Sequence, residues 1–129
     1  MSAAERARHM IPISDTRRDA AWAKAHPEQY AQFVAFAAAD PHADEPGRAM
    51  GYHRQLQARA QHDTYDRLGE IACPVFIAAG RFDGIALPDA PEKMAARIPG
   101  ATLQFFDGGH MFMLQDRAAL PAMIAFLKG

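Results

Sequence analysis

Two short segments carry the side chains best suited to chemistry. Gly80-Arg81-Phe82-Asp83-Gly84 and Asp107-Gly108-Gly109-His110 each follow an apolar run, and they offer a carboxylate and an imidazole 27 residues apart. An aspartate bonded to one ring nitrogen of a histidine fixes the tautomer and stabilises the imidazolium. The other ring nitrogen is then free to act as a general base. The flanking glycines permit tight turns and close backbone approach. Serine occurs only at Ser2 and Ser14. Cys73 opens a strand-like run and reads as a buried, inert thiol.

The elements that must position Asp83 and His110 are best marked in the second half of the chain. Pro74-Val75-Phe76-Ile77-Ala78-Ala79 is a continuous apolar run ending at Gly80, the pattern of a strand buried on both faces of a parallel sheet. Asp89 to Arg97 reads as a helix closed by Pro99-Gly100, and Ala101 to Phe106 as a second strand. Leu120, Met123, Ile124 and Leu127 fall at i, i+3, i+4, i+7 and predict a final amphipathic helix packed through that row. Strand, helix, strand, helix with short links implies right-handed crossovers and a doubly wound α/β sheet. Ligands of such sheets gather outside the carboxyl ends of the strands, where Asp83 and His110 stand.

The first half is harder to read, because 28 of the 129 residues are Ala, which suits a buried or an exposed helix face equally. Arg8 to Ser14 is a β-compatible run that Pro12 demotes to an edge or partial strand. Asp15 to Ala25 is expected as a helix capped by Ser14 or Asp15. His26-Pro27 breaks it, and a second helix runs from Pro27 to about Ala39 with Tyr30, Phe33, Val34 and Ala37 on one face. A third, about Pro46 to Gln61, carries Met50, His53, Leu56 and Gln57 on a more polar stripe.

The run Leu68-Gly69-Glu70-Ile71-Ala72-Cys73-Pro74-Val75-Phe76-Ile77-Ala78-Ala79-Gly80-Arg81-Phe82-Asp83 resembles the strand that delivers the acid in the α/β-hydrolase superfamily. Ala96-Arg97-Ile98-Pro99-Gly100-Ala101 followed by Phe105-Phe106-Asp107-Gly108-Gly109-His110 resembles its last strand and histidine loop. The resemblance covers residues 67–129 and implies that Asp83 is the triad acid and His110 the triad base. By position, residues 1–66 resemble the helical cap region, with residues 8–14 expected as the remnant of the strand before it. The resemblance therefore implies a partial α/β-hydrolase fold, a few-stranded parallel sheet flanked by helices under an N-terminal cap-like layer. The family's nucleophile elbow, usually Gly-x-Ser-x-Gly and earlier in the chain than acid and base, has no counterpart here. Trp22, Met111 and Phe112 are candidates to line an acyl pocket.

Composition excludes several other classes. The 14 Lys+Arg against 15 Asp+Glu give a net charge of −1, without the basic footprint of a nucleic-acid binder. No apolar run approaches the roughly 20 residues that span a bilayer, so no membrane partner is expected. The single Cys cannot form an internal disulfide and points to a reducing cytoplasm. His9, His26, His42, His53 and His62 show no metal-ligand spacing, so no metal is expected, and the hydrolysis that the resemblance implies asks for no organic cofactor. The resemblance implies two alternative functions. One is a serine-hydrolase-like protein acting on an ester, lactone, thioester or ketone-flanking carbon–carbon bond, inactive alone because its nucleophile is missing. The other is a non-catalytic interaction or oligomerisation module derived from the fold. Either predicts a homo-oligomer or a complementary N-terminal half as partner, since a sheet lacking its neighbouring strands leaves an open edge.

Overall fold

A computed structural model describes residues 1–129. Four helices come first: α1 (Ala3–Ser14), α2 (Ala20–Ala25), α3 (Pro27–Ala38) and α4 (Arg48–Ala60). A 3₁₀ segment, Tyr65–Glu70, leads to β1 (Phe76–Gly80), α5 (Asp89–Arg97), β2 (Thr102–Phe106), the short α6 (Phe112–Gln115) and α7 (Ala119–Lys128). β1 and β2 pair in parallel as a two-stranded sheet, with Phe76 opposite Thr102 and Gly80 opposite Phe106. The α/β class, the parallel pairing and the helix between the strands are as the sequence predicts.

The core lies on the sheet. Phe106, Phe112 and Ala119 are buried together, with Phe76, Ala78 and Ala122 packed around them. Alternation along β1 turns Ile77 and Ala79, both buried, toward the other face, and α5 lies against both strands. A smaller cluster joins Ala7 and Ile11 of α1 to Val34 of α3, with Tyr30 and Phe33 alongside.

Four sequence expectations are corrected. Residues 8–14 are helical and form no strand: Ser2 and Glu5 make a capping box, and the Ala-rich first turns carry the helix to Ser14 with Pro12 exposed in its last turn. The next helix starts at Ala20, because Asp19 caps it through the Trp22 N–H at 2.8 Å. Cys73 is exposed, since the strand begins only at Phe76 and the thiol falls in the bend before it. Finally, α7 is rotated from its expected face. Ala119, Ala122, Met123 and Phe126 turn inward, and Phe126 stacks on Phe76 at 5.4 Å, which leaves Leu120, Ile124 and Leu127 exposed. The larger aromatic contact sets the rotation. No helix is long and apolar enough to cross a membrane.

Candidate active site

Asp83 and His110 meet. β1 ends at Gly80, and Asp83 closes a turn in which its Oδ1 accepts the N–H groups of Ile85 at 2.8 Å and Ala86 at 3.0 Å. Those bonds hold the carboxylate rigidly and leave Oδ2 to the imidazole, whose Nδ1 lies 2.9 Å away. An ionised carboxylate only accepts, so Nδ1 carries a proton, and in the neutral imidazole Nε2 then presents the lone pair. Asp83 is 5% exposed, whereas the His110 side chain is 46% exposed, so a buried acid supports an accessible base.

The loop that carries His110 is tied down at each residue. The Asp107 N–H donates to Asp116 Oδ2 at 2.8 Å, Gly108 C=O accepts from the Phe82 N–H at 2.9 Å, and the Gly109 N–H donates to Gln115 Oε1 at 2.6 Å. The His110 N–H donates to Ser14 C=O at 2.7 Å. Bonds from the Asp107 and Ala118 N–H groups hold the Asp116 carboxyl below its ordinary pKa. The close packing of this loop against β1 and the end of α1 leaves no room for a side chain at several glycines. A Cβ on Gly80 would strike the Gly108 and Gly109 carbonyl oxygens, and one on Gly109 would strike Ser14 and Asp15.

Between α1 and α2, residues 14–18 lie against both site loops, because Thr16 N–H also donates to Phe82 C=O at 2.9 Å. Within this segment Asp15 is buried, at 1% exposure. Its Oδ1 accepts from the Arg17 N–H and Nε, and its Oδ2 from Arg17 Nη2 at 2.8 Å and Gln115 Nε2 at 3.2 Å. Burial pushes the Asp15 pKa up, but the hydrogen bonds and charge of Arg17, with the Arg18 charge, hold it below its ordinary value. The Arg17 pKa is raised, chiefly by its bond to Asp15. Gln115 thus bridges Asp15 to the histidine loop. The sequence marks Asp15 only as a helix cap and gives no sign of Gln115. Their pairing spans 100 residues, and no local signal marks it.

The other candidate positions divide. Trp22 is half-buried, stacked on His26 at 5.0 Å and Phe33 at 5.9 Å, and it lines a cavity of about 470 Å³ with Asp15, Arg17, Arg18, Phe33 and Gln115. Met111, beside His110, is exposed. Phe112 is withdrawn into the core, stacked on Phe106 at 5.6 Å, and so faces the sheet. No group of three potential metal-ligating side chains forms.

Residues 12–116 match the family model for the alpha/beta hydrolase fold. Over 83 residues the chain is 32% identical to a poly(3-hydroxyalkanoate) depolymerase of Ectopseudomonas oleovorans, covering 64% of this chain and 29% of that relative. The enol-lactonase of Burkholderia xenovorans superposes on 98% of this chain and 45% of its own, with a TM-score of 0.69 and 22% identity. An N-acyl homoserine lactone degrading enzyme superposes on 92% of this chain and 44% of its own, with a TM-score of 0.55 and 20% identity. The chain thus spans less than half the length of these similar proteins.

Proposed function

From the premise that this chain belongs to the α/β-hydrolase family, we propose that it contributes the acid and base of a serine-type hydrolytic site. The nucleophile would come from a segment outside these 129 residues. The observation that carries the reading is the 2.9 Å bond between a buried Asp83 and an accessible His110 at adjacent strand ends. In this reading His110 Nε2 takes the proton of a serine hydroxyl as it attacks an acyl carbon. It then returns that proton to the leaving group, while Asp83 holds Nδ1–H and stabilises the imidazolium. The bond cleaved is an ester, lactone, thioester or ketone-flanking carbon–carbon bond in a small acyl substrate, and such chemistry asks for neither metal nor organic cofactor. Without nucleophile and oxyanion donors the chain alone is inactive. The lone Cys73, with no disulfide partner, supports a cytoplasmic setting.

A second reading, an association module, is favoured by the open flank. Val75 C=O and the Arg81 N–H bond to β2, so alternation turns the Phe76 and Ala78 backbone groups toward the unpaired edge of β1. Leu120, Ile124 and Leu127 add exposed apolar surface on α7. The occupant this flank fits is the strand-bearing segment that supplies the nucleophile, and in its place a second copy would give a homo-oligomer.

The intact mass of the purified chain after fluorophosphonate treatment tests the first reading, because the reagent labels only activated serine-type nucleophiles. No adduct is expected. An adduct lost on His110→Ala would place the nucleophile within these residues and overturn the proposal that it lies outside.

A further inference from the structure

The cavity lined by Trp22 has a property that the acid–base pair does not explain. Each of its charged groups is hydrogen-bonded within the protein except one, which has only a looser ion pair. Asp15 accepts four hydrogen bonds, three from Arg17 and one from Gln115, which fills the lone-pair sites of a carboxylate. Arg17 is held by Asp15 and, at 3.2 Å on its outer edge, by Asp107. Arg18 has no such partner. Its nearest carboxylate oxygen is that of Asp15 at 3.7 Å, already engaged, and its guanidinium donates no hydrogen bond of ordinary length within the chain. Nor is it free in solvent. Its side chain is 24% exposed, with the guanidinium 4.0 Å from the centre of the Phe33 ring and 5.9 Å from that of Trp22.

The guanidinium lies over the Phe33 ring with Trp22 to one side, and such ring contact uses none of its N–H donors in a hydrogen bond. Its unpartnered nitrogens are reached by solvent, and a carboxylate matches their fork with two parallel bonds. The aromatic walls suit the carbon chain attached to such a group. The cavity also borders the candidate active site, because Gln115 lines it and accepts the N–H of Gly109, the residue before His110. We infer that Arg18, with Trp22 and Phe33, binds the carboxylate of a small acidic acyl compound. The inference deepens the proposed function by giving its substrate class a negative charge remote from the scissile bond, and in that respect it rests on that reading.

Trp22 is the only tryptophan, so its fluorescence reports the cavity alone. Titration with glutarate is expected to give a saturable change. Dimethyl glutarate, with the same carbon chain and no charge, and inorganic phosphate should each bind at least tenfold more weakly. Arg18→Met should weaken glutarate at least tenfold, Arg18→Lys less, and Arg54→Met on the exposed face of α4 not at all. Circular dichroism of each variant checks that it folds. The inference is overturned by glutarate affinity unchanged in folded Arg18→Met, by equal binding of the diester or of phosphate, or by no saturable change. None of these readouts needs a nucleophile. Failure of the hydrolytic reading would therefore leave the Arg18 result standing, and the reverse also holds.

Discussion

The half of the chain that carries the sheet and the half that carries α1 to α4 are held together by different means. From Phe76 onward, side chains 2% and 0% exposed at Phe106 and Ala119 anchor a core, and the loops bearing Asp83 and His110 are fixed by backbone bonds from several elements. Residues 39–67, in contrast, include no buried or half-buried side chain, and α4 makes no core contact. α4 has little beyond its own backbone bonds to hold it, whereas the Asp83–His110 geometry has packing behind it. The segment 14–18 joins the two halves, because it is built from the N-terminal region yet bonds to both site loops.

Substitutions ranked by expected effect sharpen this contrast. Phe106→Ala should cost about 4 kcal/mol in urea unfolding, since it empties the centre of the core. A cost near that of a surface change would mean that the sheet half is not the stable one. Gly109→Ala forces a Cβ into Ser14 and Asp15 and should cost about 3 kcal/mol, with loss of the Asp83–His110 bond by NMR. Asp15→Asn should cost about 2 kcal/mol at neutral pH, less than for a fully buried pair because Arg17 is partly exposed. The sign of its pH dependence follows from the lowered pKa. Asp15 binds its proton more weakly folded than unfolded, so its contribution is complete above the ordinary value of 3.8 and fades as pH falls through and below it. The stability gap between the protein and Asp15→Asn should therefore close on acidification, and a gap that persisted at low pH would remove the charge from the explanation. Leu56→Ala on α4 and Leu127→Ala on α7 should each cost less than about 0.5 kcal/mol. A larger loss at Leu127 would show that the exposed row of α7 is covered in solution, as the association reading requires.

Much of the second half is legible in the sequence because its signals are local. The apolar run into Gly80, the helix over 89–97 and the glycines before His110 each declare a strand, a crossover or a turn within a few residues, and together they bring Asp83 to His110. What is not legible depends on distant partners or on competition between local signals. Ile11, Pro12 and Ile13 suggest a strand, yet the box formed by Ser2 and Glu5 several residues earlier starts a helix that runs through them. Asp15 looks like a cap until Gln115, 100 residues later, folds against it. On α7 the expected row satisfies the helical period, but so does the row of Ala119, Ala122, Met123 and Phe126, and the stacking of Phe126 on Phe76 decides between them.

The central claim is that buried Asp83 fixes the tautomer of His110 so that Nε2 is the available base. Nitrogen-15 NMR of the His110 imidazole in mildly alkaline solution, for the protein and for Asp83→Asn, tests it most directly. The expected result is a proton on Nδ1 with a downfield, slowly exchanging resonance and a bare Nε2, and in Asp83→Asn that resonance is lost. A proton on Nε2, or a spectrum unchanged by the substitution, would contradict it.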